Sequence, residues 1–384
     1  MAKNASDVLI ETIIDWGVDT MFGLPGDGIN GIIEALRVRQ DKIRFIQVRH
    51  EEAAAFMACA YAKYTGKLGC CLATSGPGGI HLLNGLYDAK SDQAPVLALT
   101  GQTYSDLKGS NFQQEVNMTQ LYSDVAIYNQ EVINPEQVRM LANEACRRAL
   151  NQRGVAHICF PVDYQEKPVK EKTSPHKQPY ATNNVWAPPS VVPEKHLLTD
   201  AANVLNAGTR VVIMVGQGAR QAGADVLELA ERLGAPIVKA LLGKDVVPDD
   251  HPLTTGGLGL LGTTPSQEAM ERCDTLLMIG TSFPYTEFLP KVGQARCVQI
   301  DDKPDRIGLR YPVEVGLVGD AKRTLIELLP YINRNEDRAF LEKAQSGMVR
   351  WWEQLAKRSE REDQPIKPQR VAELLSELAS NDAI

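Results

Sequence analysis

"LGCCLATSGPGGIHLLNGLYDAKSDQAPVLALTG", residues 68–101, holds a complete strand–loop–helix–strand unit. "LGCCLAT" (68–74) is a short continuous apolar run, as is "PVLALTG" (95–101). Between them, Ser75-Gly76-Pro77-Gly78-Gly79 makes a turn and "IHLLNGLYDAKSD" reads as a helix. Apolar strands without alternation, joined through helices, belong to a parallel sheet covered on both faces.

The same alternation extends in both directions. "DTMFG" precedes a helix, "RFIQV" (44–48) precedes the helical "EEAAAFMACAYAKYTG" (51–66), and the helical "EQVRMLANEACRRALNQ" precedes "VAHICFPV" (155–162). The intervening stretch with "SNFQQEVNMTQLYSDVAIYN" reads as a polar loop, in which Gln113, Gln114 and Glu115 have no evident packing role. From 165 the composition turns to Pro, Lys and polar residues, as expected of a linker. A second alternating region follows: "RVVIMVGQGA", the helical "AGADVLELAERLG", "PIVKAL", "TLLMIGTSF", "RCVQID", "VEVGLVGD" and the helical "AKRTLIELLPYI". From 335 the chain is charged and helical. The sequence thus predicts an α/β protein of two doubly wound parallel-sheet domains with a helical C-terminal segment. The expected division is 1–175, a linker at 176–192, a second domain at 193–334 and a helical stretch at 335–384.

Composition narrows the function classes. Hydrophobic residues make up 43% and charged residues 23% of the 384, and the net charge is −7. No basic run interleaved with aromatics appears, which argues against a nucleic-acid partner. The N-terminal "MAKNASDVLIETIIDWG" carries acids inside its apolar pattern and reads as an amphipathic helix, not a signal peptide. No apolar stretch is long enough for a membrane-spanning helix. The seven cysteines are scattered without a C-x-x-C pair, so buried thiols in a reducing cytoplasm are expected.

Three strand-end loops are candidates for chemistry. Gly26-Asp27-Gly28, in "FGLPGDGI", suits either a magnesium–diphosphate motif or a tight strand-to-helix turn with Asp27 as N-cap. A metal motif needs a partner pair of asparagines about one helix further on. That stretch, "RHEEAAAFMAC", has none, and Asn183-Asn184 lies in the linker. No metal ligand is therefore expected in this chain. Glu51 and Glu52 open a helix at the carboxyl edge of a sheet, where ligands of such folds bind. Ala53, Ala54, Ala55 and Phe56 would desolvate one of the two carboxyls, which suits it to proton exchange with a heterocyclic nitrogen.

Taken in order and spacing, "GLPGD", "RHEEAAAFMA…TGK", "SGPGGIHLLNGLYDA…PVLALTG" and "QEVN…YSDVAIYN" resemble the pyrimidine-binding domain of thiamine diphosphate-dependent enzymes, nearest the flavin-containing pyruvate oxidase and quinone-dependent pyruvate dehydrogenase group. "VGQGARQAG", "GGLGLLG", "LLMIGTSFPYTEF" and "VQIDDKPDRIG" are similar to that group's central FAD-binding domain. The resemblance implies roles. Glu51 matches the glutamate that hydrogen-bonds N1′ of the aminopyrimidine and drives the imino tautomer that deprotonates the thiazolium. Pro25 and Gly26 match the loop touching the pyrimidine, Thr74, Pro77 and Asn84 fall in stretches lining the same pocket, and Gln114 matches a glutamine near the reacting centre. Gln113 stands where the family often has an aromatic residue. Gly216, Gly218, Ala219 and Arg220 match a turn meeting the FAD phosphates. Gly257, Leu258, Gly259 and Leu260, with Gly280, Thr281, Ser282, Phe283 and Pro284, match loops along the flavin, and Asp301 an acid near the adenosine ribose.

The implied function is oxidative decarboxylation of a 2-keto acid such as pyruvate, in a cytoplasmic homodimer or homotetramer with the site at a subunit interface. Electrons would pass through FAD to oxygen or a quinone. An acetolactate synthase-like carboligase with structural FAD, and a non-catalytic FAD-binding subunit, are the alternatives. The family's third domain, which holds the diphosphate and Mg2+ through Gly-Asp-Gly and Asn, is expected beyond Ile384, as is the quinone group's membrane-binding tail. Glu51 is then half a site, in a truncated chain, a proteolysed remnant or one subunit of a split enzyme. Such a chain is expected to hold FAD but to bind thiamine diphosphate poorly.

Overall fold

The computed structural model describes residues 3–169, 184–187, 190–380 and 383. It divides into two compact units, Met1–Pro189 and Ser190–Ile384. Most of the expected linker at 176–192, with Asn183, lies outside the described residues.

The first unit has six strands: β1 (Thr20–Gly23), β2 (Arg44–Gln47), β3 (Gly69–Ala73), β4 (Val96–Gln102), β5 (Ala126–Glu131) and β6 (Val155–Pro161). All pair in parallel in the order β2-β1-β3-β4-β6-β5. Because strand side chains alternate between faces, each central strand feeds two cores. In β3, Cys70 and Leu72 join the cluster with Leu9, Ile13 and Phe160, while Cys71 and Ala73 join the one with Ala58, Leu86 and Tyr122. The chain runs outward from β1 to β2 and then returns to β3 on the other side of β1. The carboxyl ends of β1 and β3 therefore flank a topological switch point, where loops diverge and leave a crevice.

The second unit repeats the plan with β7 (Val211–Val215), β8 (Ile237–Lys239), β9 (Thr254–Gly257), β10 (Thr275–Ile279), β11 (Arg296–Asp301) and β12 (Val315–Val318). The parallel order is β12-β11-β10-β7-β8-β9, with its switch point between β7 and β10. The helices Ala339–Ser359 and Pro368–Leu378 belong to this unit. Leu341 enters the core with Leu229 and Leu325, and Phe340 packs against the opposite one.

Several elements escape the sequence reading, and one pair of helices is merged in it. The expected polar loop contains helix Met118–Leu121 and β5, an edge strand whose half-exposed residues carry no continuous apolar signal. β9 is likewise an edge strand, built from Thr and Gly, and helix Thr264–Arg272 follows it unannounced. The helix expected at 80–92 is two pieces, Pro77–His81 and Leu83–Ser91. The seven cysteines are buried and unpaired. Among the described residues no helix is long and apolar enough to cross a membrane.

Candidate functional site

The crevice of the first unit is built by the loops after β1 and β3. After Gly23 the chain makes a 3-10 turn over Asp27–Ile29, and an α-helix begins at Asn30. Asp27 is the first residue of that turn rather than its cap, which is Gly26. Its carboxylate accepts the Gly28 N–H at 2.9 Å, and Thr74 Oγ1 accepts the same donor at 3.1 Å. A Cβ at Gly26 would lie 2.5 Å from Thr74 Cβ, and one at Gly28 2.6 Å from Ser75 Oγ. The glycines of the Gly-Asp-Gly triplet thus let two strand-end loops touch. Pro25 is exposed on the rim.

Glu51 is the first residue of helix Glu51–Thr65 and is only 7% exposed. His50 caps the helix in an extended conformation, its Nδ1 accepting the Glu52 N–H at 3.3 Å. Ala54 and Ala55 are buried behind the carboxyl as expected, but Ala53 and Phe56 point outward. The rest of the cover comes from the loop after β3. Glu51 Oε2 lies 3.0 Å from His81 Nδ1, and Oε1 lies 3.3 Å from where a Cβ on Gly78 would stand. Oε1 takes no hydrogen bond from the described residues. The His81 ring stacks on His50 with centroids 4.4 Å apart. Asn84 turns away from Glu51 and donates to Glu52 Oε1 instead.

Gln114 joins this cluster from a distant loop. Its backbone is left-handed, at φ 61°, beside Gly76 at φ 63°. A Cβ on Gly76 would lie 2.7 Å from Gln114 O. Ser75 Oγ donates to Gln114 Oε1 at 3.2 Å. The segment read as lacking a packing role therefore closes over the glycine loop. That loop is also tied to the core, since Tyr122 Oη donates to Gly79 O at 2.6 Å and its ring stacks on His157 at 3.8 Å. His157 is fully buried, between Thr100 Oγ1 at 2.8 Å and Asn129 Oδ1 at 2.7 Å. Burial lowers its pKa to about 3, so the ring is neutral. Asn129 Nδ2 already donates to Thr119 O, so its Oδ1 accepts from His157 Nδ1–H and Nε2 accepts from Thr100.

In the second unit, the expected flavin loops meet at the β7/β10 switch point. Gly216 N–H donates to Ile279 O at 3.0 Å and Gly218 N–H to Gly280 O at 3.1 Å. A Cβ on Gly218 would lie 2.8 Å from Gly280 Cα, and Gly280 has φ 57°. These glycines are explained by loop-to-loop contact. The N–H groups of Gly218 and Ala219 are engaged within the protein, by Gly280 O and Gly216 O, and Ala219 is a core residue. Arg220 pairs with Asp245 at 3.0 Å. Gly257 is open, with nothing closer than 3.8 Å to an added Cβ. Gly259 has φ 99°, Leu258 is buried, and Leu260 is 82% exposed. Thr281 and Phe283 are buried, Pro284 is exposed, and Ser282 Oγ accepts from Arg306 Nη1 at 2.9 Å. Asp301 ends β11 at 8% exposure and accepts the Lys303 N–H at 3.0 Å. Burial raises its carboxyl to about 6.

Sequence reasoning missed His50, Ser75, His81 and Arg306. Each falls inside a quoted stretch, and His81, four residues past Pro77 on a glycine-opened turn, was the most accessible signal. No metal ligand was expected in this chain. The fold nevertheless brings ligand atoms of His50, Glu51 and His81 within 4.8 Å of one another.

Both units match parts of known proteins. Residues 3–121 match the thiamine pyrophosphate enzyme N-terminal TPP binding domain, and residues 198–328 match the central domain of the same enzymes. The chain is 44% identical over 382 residues to YdaP of Bacillus subtilis (strain 168), described as thiamine pyrophosphate-containing, covering 100% of this chain and 65% of that protein. It is 34% identical to pyruvate oxidase of Lactiplantibacillus plantarum, over 99% of this chain and 62% of the relative. It is 30% identical to the acetolactate synthase large subunit of Haemophilus influenzae, over 99% of this chain and 67% of the relative. The chain thus spans about two thirds of the length of these relatives.

Proposed function

The chain belongs to the thiamine pyrophosphate enzymes, and from that premise we propose that it supplies the pyrimidine-binding and FAD-binding parts of an oxidative 2-keto acid decarboxylase, with pyruvate as substrate. The observation that carries this reading is Glu51. It is buried at the switch-point crevice, with one oxygen held by His81 and the other open beside Gly78. A carboxyl so placed fits a heterocyclic nitrogen, and it can hold or pass a proton at that oxygen. When bound, the cofactor supplies the carbanion and electron-sink chemistry of decarboxylation. The protein's part is to orient and to exclude water. Gly26, Thr74 and Gly78 form the wall beside Glu51, Pro77 and Pro25 the rim, and Gln114 reaches in from the loop closing over Gly76. Asn84 acts one step removed, by fixing Glu52.

The residues of the second unit fit a dinucleotide at the β7/β10 crevice. Gly257 to Leu260 and Gly280 to Pro284 would lie along the flavin, with the Arg220 side chain toward the phosphates; the Gly216–Gly218 turn, its glycine N–H groups already engaged, would offer close approach and no glycine N–H donor. Asp301, at a strand end, suits a ribose hydroxyl. FAD would carry electrons to oxygen or a quinone. Mg2+ and the diphosphate would be held outside this chain's residues. The exposed Phe56, Met57, Tyr64 and Tyr87 on the helices beside Glu51 support assembly through this face.

The similarity to an acetolactate synthase subunit favours a second reading, a carboligase in which FAD is structural. Product analysis of the complete enzyme with pyruvate separates the two. Acetate or acetyl phosphate with flavin reduction supports the oxidative reading, and acetolactate without net flavin reduction replaces it. Flavin binding with no keto acid consumed, even with a diphosphate-binding partner supplied, would reject both.

A further inference from the structure

We propose that His50, Glu51 and His81 form a binding site for a zinc-class transition-metal ion. Among the described residues they are the one group of three or more His, Cys, Asp or Glu side chains whose ligand atoms come within metal-holding reach. The cysteines are all buried and His157 is committed to Thr100 and Asn129. Two imidazoles and a carboxylate are a common three-ligand protein set for zinc, leaving a fourth position for water. Imidazole nitrogens select zinc, cobalt, nickel or copper over magnesium, which prefers oxygen ligands.

The geometry is nearly assembled. Glu51 Oε2 and His81 Nδ1 are 3.0 Å apart, close to the roughly 3.3 Å between two ligands on a tetrahedral ion with bonds of about 2 Å. A metal there replaces the proton the two atoms share. The ligand atoms of all three residues lie within 4.8 Å of one another, so an inward swing of the His50 ring by no more than about 1–2 Å reaches such spacing. Its side chain is 51% exposed, and the swing gives up the cap bond from the Glu52 N–H but no core contact. Glu52 Oε2 stands 3.9 Å from His50 Nδ1, and Asn84 holds the other Glu52 oxygen. With the cap bond released, Nδ1 can carry the proton, and that carboxylate is placed to accept Nδ1–H while Nε2 binds the ion, the usual support for a metal-bound histidine. The helix N-terminus opposes a cation by about half a charge, and the two carboxylates of the first turn outweigh it.

The site rests on this geometry alone. Its consequence, that metal loading and cofactor binding exclude each other at Glu51, rests on the function proposed above.

The test is titration of the untagged 384-residue chain with Co2+, followed by ligand-field absorption, and with Zn2+ by calorimetry. The expected result is one Co2+ ion bound per chain, displaced by Zn2+ and not by Mg2+. His50→Ala and His81→Ala should each weaken binding at least about tenfold. Both side chains are exposed, so circular dichroism should stay unchanged, and His196→Ala should bind as the parent does. Equal Co2+ affinity in the parent, His50→Ala and His81→Ala chains would overturn the site, as would the absence of bound Co2+ in the parent. The cofactor reading fails separately, if a complete enzyme carrying Glu51→Gln still decarboxylates pyruvate at the parental rate.

Discussion

His81 Nδ1 and Glu51 Oε2 lie 3.0 Å apart although the residues are 30 positions apart in the chain. The contact exists because the helix Glu51–Thr65 packs closely along Leu83–Ser91. At Gly85 the approach is so tight that an added Cβ would lie 2.6 Å from Phe56 N. Helix packing thus sets where the acid and its histidine meet.

Gly85→Ala is expected to force these helices apart. The clash is with backbone, which cannot rotate away, so the cost should be about 1–3 kcal/mol. Chemical denaturation measures that loss. Activity of the complete enzyme should fall further than stability alone explains, because His81 leaves Glu51. A variant with parental stability and rate would show that the helix approach is not what positions the pair.

Glu51→Gln keeps shape but cannot exchange a proton in the same way. Removing a general acid–base group typically costs about 10²–10⁴-fold. Keto acid turnover in the complete enzyme should drop by that range, with the melting temperature nearly unchanged. A loss below tenfold would remove Glu51 from the chemistry.

His157 makes stability pH-dependent. Its folded pKa of about 3 lies below the ordinary value of 6.5, so the unfolded chain takes up the proton first. Stability from this group is complete above pH 6.5 and is lost as pH falls toward 3. Between pH 6.5 and 4.5 the loss should be roughly 2 kcal/mol by urea unfolding. His157→Gln should flatten that slope, and an unchanged slope would assign it to other groups.

Asp301 works in the opposite direction. Burial lifts its carboxyl from 3.8 to about 6, so the folded chain binds the proton more readily and stability falls as pH rises through that window. Asp301→Asn should therefore stabilise the chain at pH 8, by up to about 3 kcal/mol, and leave it unchanged below pH 3.8. If Asp301 also meets the FAD ribose, the same variant should bind FAD more weakly. Thermal melting with and without FAD separates the two effects, and tighter FAD binding would exclude the ribose contact.

Much of the fold was legible because buried parallel strands carry a continuous apolar signal. β3, β4, β6, β7, β10 and β11 are of this kind. β5 and β9 were not legible, since an edge strand needs no such run, and neither was the break at Leu82. At the site, Glu51 and the glycine loops were readable as strand-end residues. The sequence suggested that Gly26-Asp27-Gly28 is no diphosphate motif, and the structure gives those glycines another task, contact with Thr74 and Ser75. Sequence alone determined the alternation of strands and helices, the buried thiols and the acid opening a helix. The tertiary structure decided the strand order and with it both switch points. It also set His81 on Glu51 and His50 beside them. These are contacts between elements far apart in the chain, fixed by sheet order and helix packing, which local propensity does not encode.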